Sequence, residues 1–231
     1  MTTPEKRMEV PLEANPEIFN PLAQRLGLDT SKLCFHDVLG FDDELLALVP
    51  QPVLAVILLY PGVRGTTMHR KQKMLQGAVD RTRLVHIRQR VGNVCGFMAM
   101  LHVLGNTPGV PLAEGSQFAT LFKETRGLPM EEASDKLDAA DVWKAYTEAS
   151  LSGQSETPPA HIHPEGAFCA FIEQDGQLVE LDGWNDAPLL HGPIEKDLVH
   201  SVVKVVRDDI IPLEQHIRYN ILALAAPPAN K

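Results

Sequence analysis

The longest apolar run in the chain, VLAVILLY at residues 53–60, is continuous and lies between Pro50-Gln51-Pro52 and Pro61-Gly62. A strand with one wet face would alternate apolar and polar positions, so this run predicts a strand covered on both faces, with helices on either side of a sheet. A second buried strand is expected at 217–226, IRYNILALAA. Between them, residues 167–182 (AFCAFIEQDGQLVELD) hold two β-prone runs around Asp175-Gly176, a strong signal for a two-residue hairpin. Pairing outward from that turn puts Cys169 opposite Asp182 and leaves residue 167 diagonal to Asp182 on the same face, at about 7–8 Å between Cα atoms.

The helices are marked by their ends. After the extended stretch PLEANP, Asn15 caps a helix with Pro16 at its first position, running to Leu26 before Gly27. A short helix is expected at 42–49. Residues 92–105 (GNVCGFMAMLHVLG) read as a turn opening into an apolar helix that Gly105 closes, and Cys95 falls at its beginning. Further helices are expected at 116–125 and, as one element, at 130–149, where Asp138 and Asp141 alternate with Leu137, Val142 and Trp143. The segment 198–206 (LVHSVVKVV) suits helix and strand equally. Two stretches lack any rhythm: 62–79, polar and basic, to which no chemistry is assigned, and 150–165 (SLSGQSETPPAHIHPE), a long exposed loop of the length that is usually functional or disordered. No internal repeat is visible.

The 231 residues lie at the upper end of what one hydrophobic core supports, and no Gly/Ser tract or charge block divides them, so a single domain is expected. With 44% hydrophobic and 22% charged residues, the chain belongs with folded globular proteins. The run at 53–60 is far short of the roughly 20 residues that cross a bilayer, and the N-terminus has no signal-like apolar region. No membrane association and a cytosolic location, with the nucleus as the other candidate, are expected. The formal charge of −9 argues against a nucleic-acid partner and favours a basic protein or peptide segment. Cys34, Cys95 and Cys169 are odd in number and widely spaced, which suggests free thiols and neither a disulfide framework nor a zinc cluster.

Of these thiols Cys95 has a physical reason to react, because the partial positive charge and free N–H groups of a helix N-terminus favour the thiolate. Gly96 beside it leaves room for a substrate. Cys169, inside a strand, lacks that activation and reads as structural. His102 lies seven residues along the helix, about 10 Å away at 1.5 Å per residue, too far for a base and more in keeping with a satisfied core histidine. His161 and His163 form an HxH pair in the loop but have no third ligand at suitable spacing, so no metal site is expected. A histidine at position 167 would be able to hydrogen-bond Asp182 as a base held by its carboxylate; the sequence has Ala167 there. Gln89, six residues before Cys95, is placed to bring its side-chain amide near the thiol and donate to a developing oxyanion.

In order along the chain, MEVPLEANPE, LGFDDELLALVPQPVLAVILLYP, QRVGNVCG, EASLSGQSETPP, DGQLVELDG and IRYNILALAA together resemble the ubiquitin C-terminal hydrolase family, the papain-like cysteine deubiquitinases, in its small single-domain members. The resemblance implies an α/β fold, a central antiparallel sheet flanked by helices on both sides and knotted, with Cys95 on a central helix and the 167/182 pair on the sheet opposite. It implies that Cys95 is the nucleophile, that Gln89 and the Cys95 backbone N–H form the oxyanion hole, and that Asp182 orients the base. The family's catalytic histidine stands fifteen residues before that aspartate, at Ala167, and here the chain departs from the pattern. His163, before Pro164, would have to shift by more than about 10 Å to fill the place. Retention of Cys95, Gln89 and Asp182 around one lost residue is more typical of a deliberate substitution than of drift. The implied reaction is hydrolysis after the C-terminal glycine of ubiquitin through a Cys acyl-enzyme, without metal or cofactor, crippled in this chain by the missing base. The partner implied is ubiquitin, or the related modifier NEDD8, held in part by residues 10–15. A monomer is expected, and the loop at 150–165 is expected to cross over the active site. The alternative is a pseudoenzyme that binds ubiquitin or a ubiquitin-like protein without cleaving it.

Overall fold

The computed structural model describes residues 7–60, 79–153, 166–213 and 219–228. Its centre is a six-stranded antiparallel sheet in the order β1-β6-β2-β3-β4-β5, built from β1 (Cys34–Asp37), β2 (Ala55–Tyr60), β3 (Ala167–Gln174), β4 (Gln177–Leu181), β5 (Leu189–Pro193) and β6 (Asn220–Ala225). β2 and β3 pair along their lengths, from Ala55 with Ile172 to Tyr60 with Ala167. As the continuous apolar run at 53–60 predicts, β2 is buried on both faces. Ala55 and Ile57 enter one core with Phe168, Ala170, Leu222 and Leu224, while Val56, Leu58 and Tyr60 enter the other with Cys169, Phe171 and Ala223.

The first core is closed by α1 (Pro16–Leu26), α3 (Cys95–Asn106), α4 (Gln117–Thr125), α5 (Met130–Ala139) and α6 (Trp143–Ser150). The second is closed by α7 (Leu198–Val205) and the residues around α2 (Asp43–Leu46). Helix α1 begins as its sequence dictates: Asn15 Oδ1 accepts the N–H of Glu17 at 2.8 Å, Pro16 takes the first helical position, and Gly27 ends the helix at φ 124°. Asp175 and Gly176, at φ 53° and 75°, make the hairpin turn between β3 and β4; positive φ at both positions is what a two-residue turn needs to match the strand twist.

Four details depart from the sequence reading. The helix expected at 130–149 is two helices. Ala140 is extended, its N–H and the Trp143 indole both reach the Leu137 carbonyl, at 3.1 and 3.3 Å, and the chain turns so that Trp143 and Tyr146 pack on Phe97. Tertiary aromatic packing therefore decides against a helix that local pattern would continue. The helix expected at 42–49 is a single turn. Residues 198–206 resolve as helix, because Asp197 accepts the His200 N–H at 2.9 Å as an N-cap and Leu198, Val199, Val202 and Val203 form one apolar stripe. Strands β1 and β5 were not anticipated: CFHD and LLHGP are short, mixed edge strands with little pattern of their own. Residues 62–78 and 154–165, with His161 and His163, lie outside the described residues.

Candidate active site

Residues 89–94 form the turn that delivers Cys95. Asn93 takes φ 64°, a conformation asparagine tolerates better than most residues, and its carbonyl faces the Tyr146 hydroxyl at 3.4 Å. Tyr146 donates its hydroxyl proton to the Val10 carbonyl at 2.6 Å, which ties the chain before α1 to the start of α3. Val94 occupies the cap position of α3 and has no side chain to accept the first-turn N–H groups, so these remain available at the helix end. Backbone N–H groups of Phe168, Gly96 and Cys95 donate to the thiol of the partly exposed Cys95. Beside Gly96 an added Cβ would meet the Phe168 ring at 3.4 Å and Leu12 at 3.5 Å, ordinary van der Waals contact.

The hairpin register holds as expected. Its outermost pair is Ala170 with Leu181, and Asp182 lies just beyond the end of β4. Asp182 is 7% exposed; its Oδ1 accepts the Trp184 N–H at 2.9 Å, and its charge reaches the Cys95 thiol. Ala167 opens β3 one residue before Phe168, whose N–H contacts that thiol. Position 167 is therefore the neighbour in sequence of a residue that touches the sulfur; it carries a methyl group and packs on the second core. Gln89 is 4% exposed, its backbone N–H donates to Gly183 O at 2.9 Å, and its side-chain amide donates to Val91 O at 3.0 Å. One amide N–H is thereby used to hold the turn; the amide carries a second.

Burial is the largest influence on Cys95 and pushes its thiol up to about 11, with the Asp182 charge acting in the same direction and the three backbone N–H groups opposing them. The helix terminus alone does not outweigh desolvation. A second positive charge next to the sulfur would be needed to reverse the balance.

His86 was not anticipated. It interrupts the run LVHI at 84–87, and a histidine inside an apolar run was the available signal. It is 4% exposed, its Nε2–H donates to the Asp182 backbone carbonyl at 3.3 Å, and its ring lies 5.5 Å from that of His102. Burial lowers its pKa to about 4 and keeps it neutral. His102 is the core histidine expected, fully buried, with Nε2 accepting the Ile87 N–H at 3.1 Å. Cys169 is wholly buried, in keeping with a structural role. Among the described residues no group of three or more His, Cys, Asp or Glu is arranged to hold a metal, and no helix is long and apolar enough to cross a membrane.

The site thus has a thiol at a helix start, a buried glutamine in the turn before it and, just past the end of β4, a buried aspartate whose charge reaches the thiol. The model of the family described as ubiquitin carboxyl-terminal hydrolase, family 1, matches residues 10–211. The chain belongs to this family. The ubiquitin carboxyl-terminal hydrolase 3 of Arabidopsis thaliana is 33% identical over 221 residues, covering 94% of this chain and 93% of the relative. A ubiquitin carboxyl-terminal hydrolase of Aplysia californica is 33% identical over 201 residues, covering 86% and 92%. Among solved structures, the Trichinella spiralis UCH37 catalytic domain bound to ubiquitin vinyl methyl ester superposes with a TM-score of 0.72 over 95% of both chains at 18% identity, a likeness of fold. The antiparallel sheet with helices on both faces is the α/β, papain-like architecture of the ubiquitin carboxyl-terminal hydrolases.

Proposed function

We propose that this chain binds ubiquitin and is built to hydrolyse the bond after its C-terminal glycine, with Cys95 as nucleophile, and that Ala167 removes most of that activity. The observation that carries this reading is a thiol at a helix start on which the Phe168 N–H, one residue into β3, and the Asp182 charge both act. In the complete reaction a base at 167 would take the thiol proton, the thiolate would attack the glycine carbonyl carbon, and the Cys95 N–H with the Gln89 amide would donate to the oxyanion. The protonated base would then give its proton to the leaving amine, and water would attack the acyl-enzyme with the same base assisting. Asp182 would hold the ring and favour its charged form.

Ala167 leaves the Cys95 N–H, the Gln89 amide and the Asp182 carboxylate in place and removes both proton transfers. NEDD8 is the alternative modifier, and residues 10–15, anchored through Tyr146, belong to the binding surface. A monomer without cofactor, working in the cytosol or nucleus, completes the reading. A pseudoenzyme that only binds ubiquitin is the second reading, and Ala167 itself favours it.

The deciding experiment is hydrolysis of a fluorogenic ubiquitin C-terminal amide by the chain, by Ala167→His and by Ala167→His with Cys95→Ala. The base is worth on the order of 10³-fold or more, so the His variant should gain at least that much and the double variant should lose it. A silent His variant that still binds ubiquitin would establish the binding-only reading.

A further inference from the structure

Four large apolar side chains stand exposed among the described residues, Leu39, Leu48, Leu151 and Trp184, and only Trp184 stands beside the candidate catalytic groups. It is 51% exposed, while Gly183 before it and Asn185 after it are buried. The exposure is fixed by the backbone. Gly183 O accepts from Gln89 N at 2.9 Å, Trp184 N donates to Asp182 Oδ1 at 2.9 Å, Trp184 O accepts from Arg88 Nη1 at 3.3 Å, and Asn185 N donates to Asp182 O at 3.1 Å. An added Cβ on Gly183 would approach Gln89 Cβ to 3.0 Å, so the loop has no slack toward the core. A rigidly presented, half-exposed indole is the kind of group that anchors a partner segment, because it offers a large apolar face at little cost in conformational entropy.

Its place indicates which part of a substrate it meets. The leaving amine departs toward the group that protonates it, so the leaving side of Cys95 is the side of position 167 and of Asp182 behind it. The Trp184 backbone N–H donates to that carboxylate, which fixes the residue's backbone on the leaving side. Arg88, which holds the Trp184 carbonyl, pairs with Asp186 at 2.5 Å and Glu131 at 3.1 Å, and Glu131 is shared with Arg90, which also pairs with Asp135 and Asp138; four carboxylates on two guanidiniums leave the rim negative. An indole face with a negative rim favours aliphatic or cationic side chains and disfavours acidic ones.

We propose that Trp184 is a specificity-determining residue that receives the first residue after the scissile bond and selects aliphatic or cationic leaving segments. The inference rests on the ubiquitin-hydrolase reading above. Its test uses the chain as it is, since Ala167 lets an extended ubiquitin bind with little cleavage. Calorimetry would compare mature ubiquitin with ubiquitin carrying a short C-terminal extension that begins with Leu, Lys or Asp. Seating a side chain on the indole corresponds to about a tenfold gain in affinity. The Leu and Lys extensions should therefore bind about tenfold tighter than mature ubiquitin and the Asp extension no tighter. Trp184→Ala should remove the gain and leave mature ubiquitin unaffected, while Trp184→Phe keeps most of it. Equal affinity for extended and mature ubiquitin in the original chain would overturn the proposal, as would a Trp184→Ala variant that weakens both alike. If neither form binds, the ubiquitin reading itself fails, which is a different result.

Discussion

The chemistry of this chain turns on one side chain and its surroundings. Cys95 has the position of a nucleophile, with a helix N-terminus and three N–H donors aimed at its sulfur, yet burial and the Asp182 charge hold the thiol at about 11. At neutral pH the thiolate fraction is then about 10⁻⁴. Because the anion forms only as protons are withdrawn, alkylation of Cys95 by iodoacetamide, followed by mass spectrometry of its peptide, should accelerate about tenfold per pH unit from about pH 7 to 10 without a plateau. In the Ala167→His variant a plateau should appear near neutrality, where an imidazolium pairs with the thiolate. A plateau in the original chain would mean that the helix terminus wins over desolvation, contrary to the balance described above.

Elements, in turn, bring the site residues together. Helix α6 exists as a separate element because Trp143 and Tyr146 pack on Phe97, and from there the Tyr146 hydroxyl reaches the Val10 carbonyl at 2.6 Å. Tyr146→Phe keeps the ring and removes a buried hydrogen bond. It should cost about 1 kcal/mol in a denaturant titration and, by loosening residues 10–15, weaken ubiquitin binding several-fold while the Cys95 alkylation profile stays put. An unchanged affinity would detach those residues from the binding surface. The hairpin of β3 and β4 is the other decisive element. Its turn is written in Asp175-Gly176, so the pairing of β3 with β4, from Gln174 with Gln177 out to Ala170 with Leu181, was legible from local chemistry. The break between α5 and α6 was not legible, because it depends on an aromatic cluster whose members are distant in sequence.

The whole molecule keeps two histidines neutral in its interior between the sheet and the site. His86 is held at about 4 by burial, and His102 is lowered in the same way. For each, the unfolded chain takes up a proton more readily than the fold does, so their contribution to stability is complete above the ordinary histidine pKa of 6.5 and declines below it; for His86 it is lost as pH falls through about 4. For His86 alone this amounts to about 3 kcal/mol. Thermal melts at about pH 7 and 4.5 should show the loss, and His86→Phe should shrink the difference between them; an equal drop in both proteins would assign the acid sensitivity elsewhere. At this scale the division between sequence and structure is plain. The sequence by itself determined what neighbouring residues can decide: the cap on α1, the hairpin turn, the strand covered on both faces, and a cysteine opening an apolar helix. It also carried the family likeness and the alanine at 167. Only the tertiary structure decided that desolvation of the Cys95 thiol outweighs its helix end, that His86 stands behind Asp182, that Trp143 and Tyr146 end one helix and begin another, and that Trp184 is presented beside the carboxylate. Those outcomes depend on desolvation and packing among residues tens of positions apart, and neither quantity exists until the chain has folded.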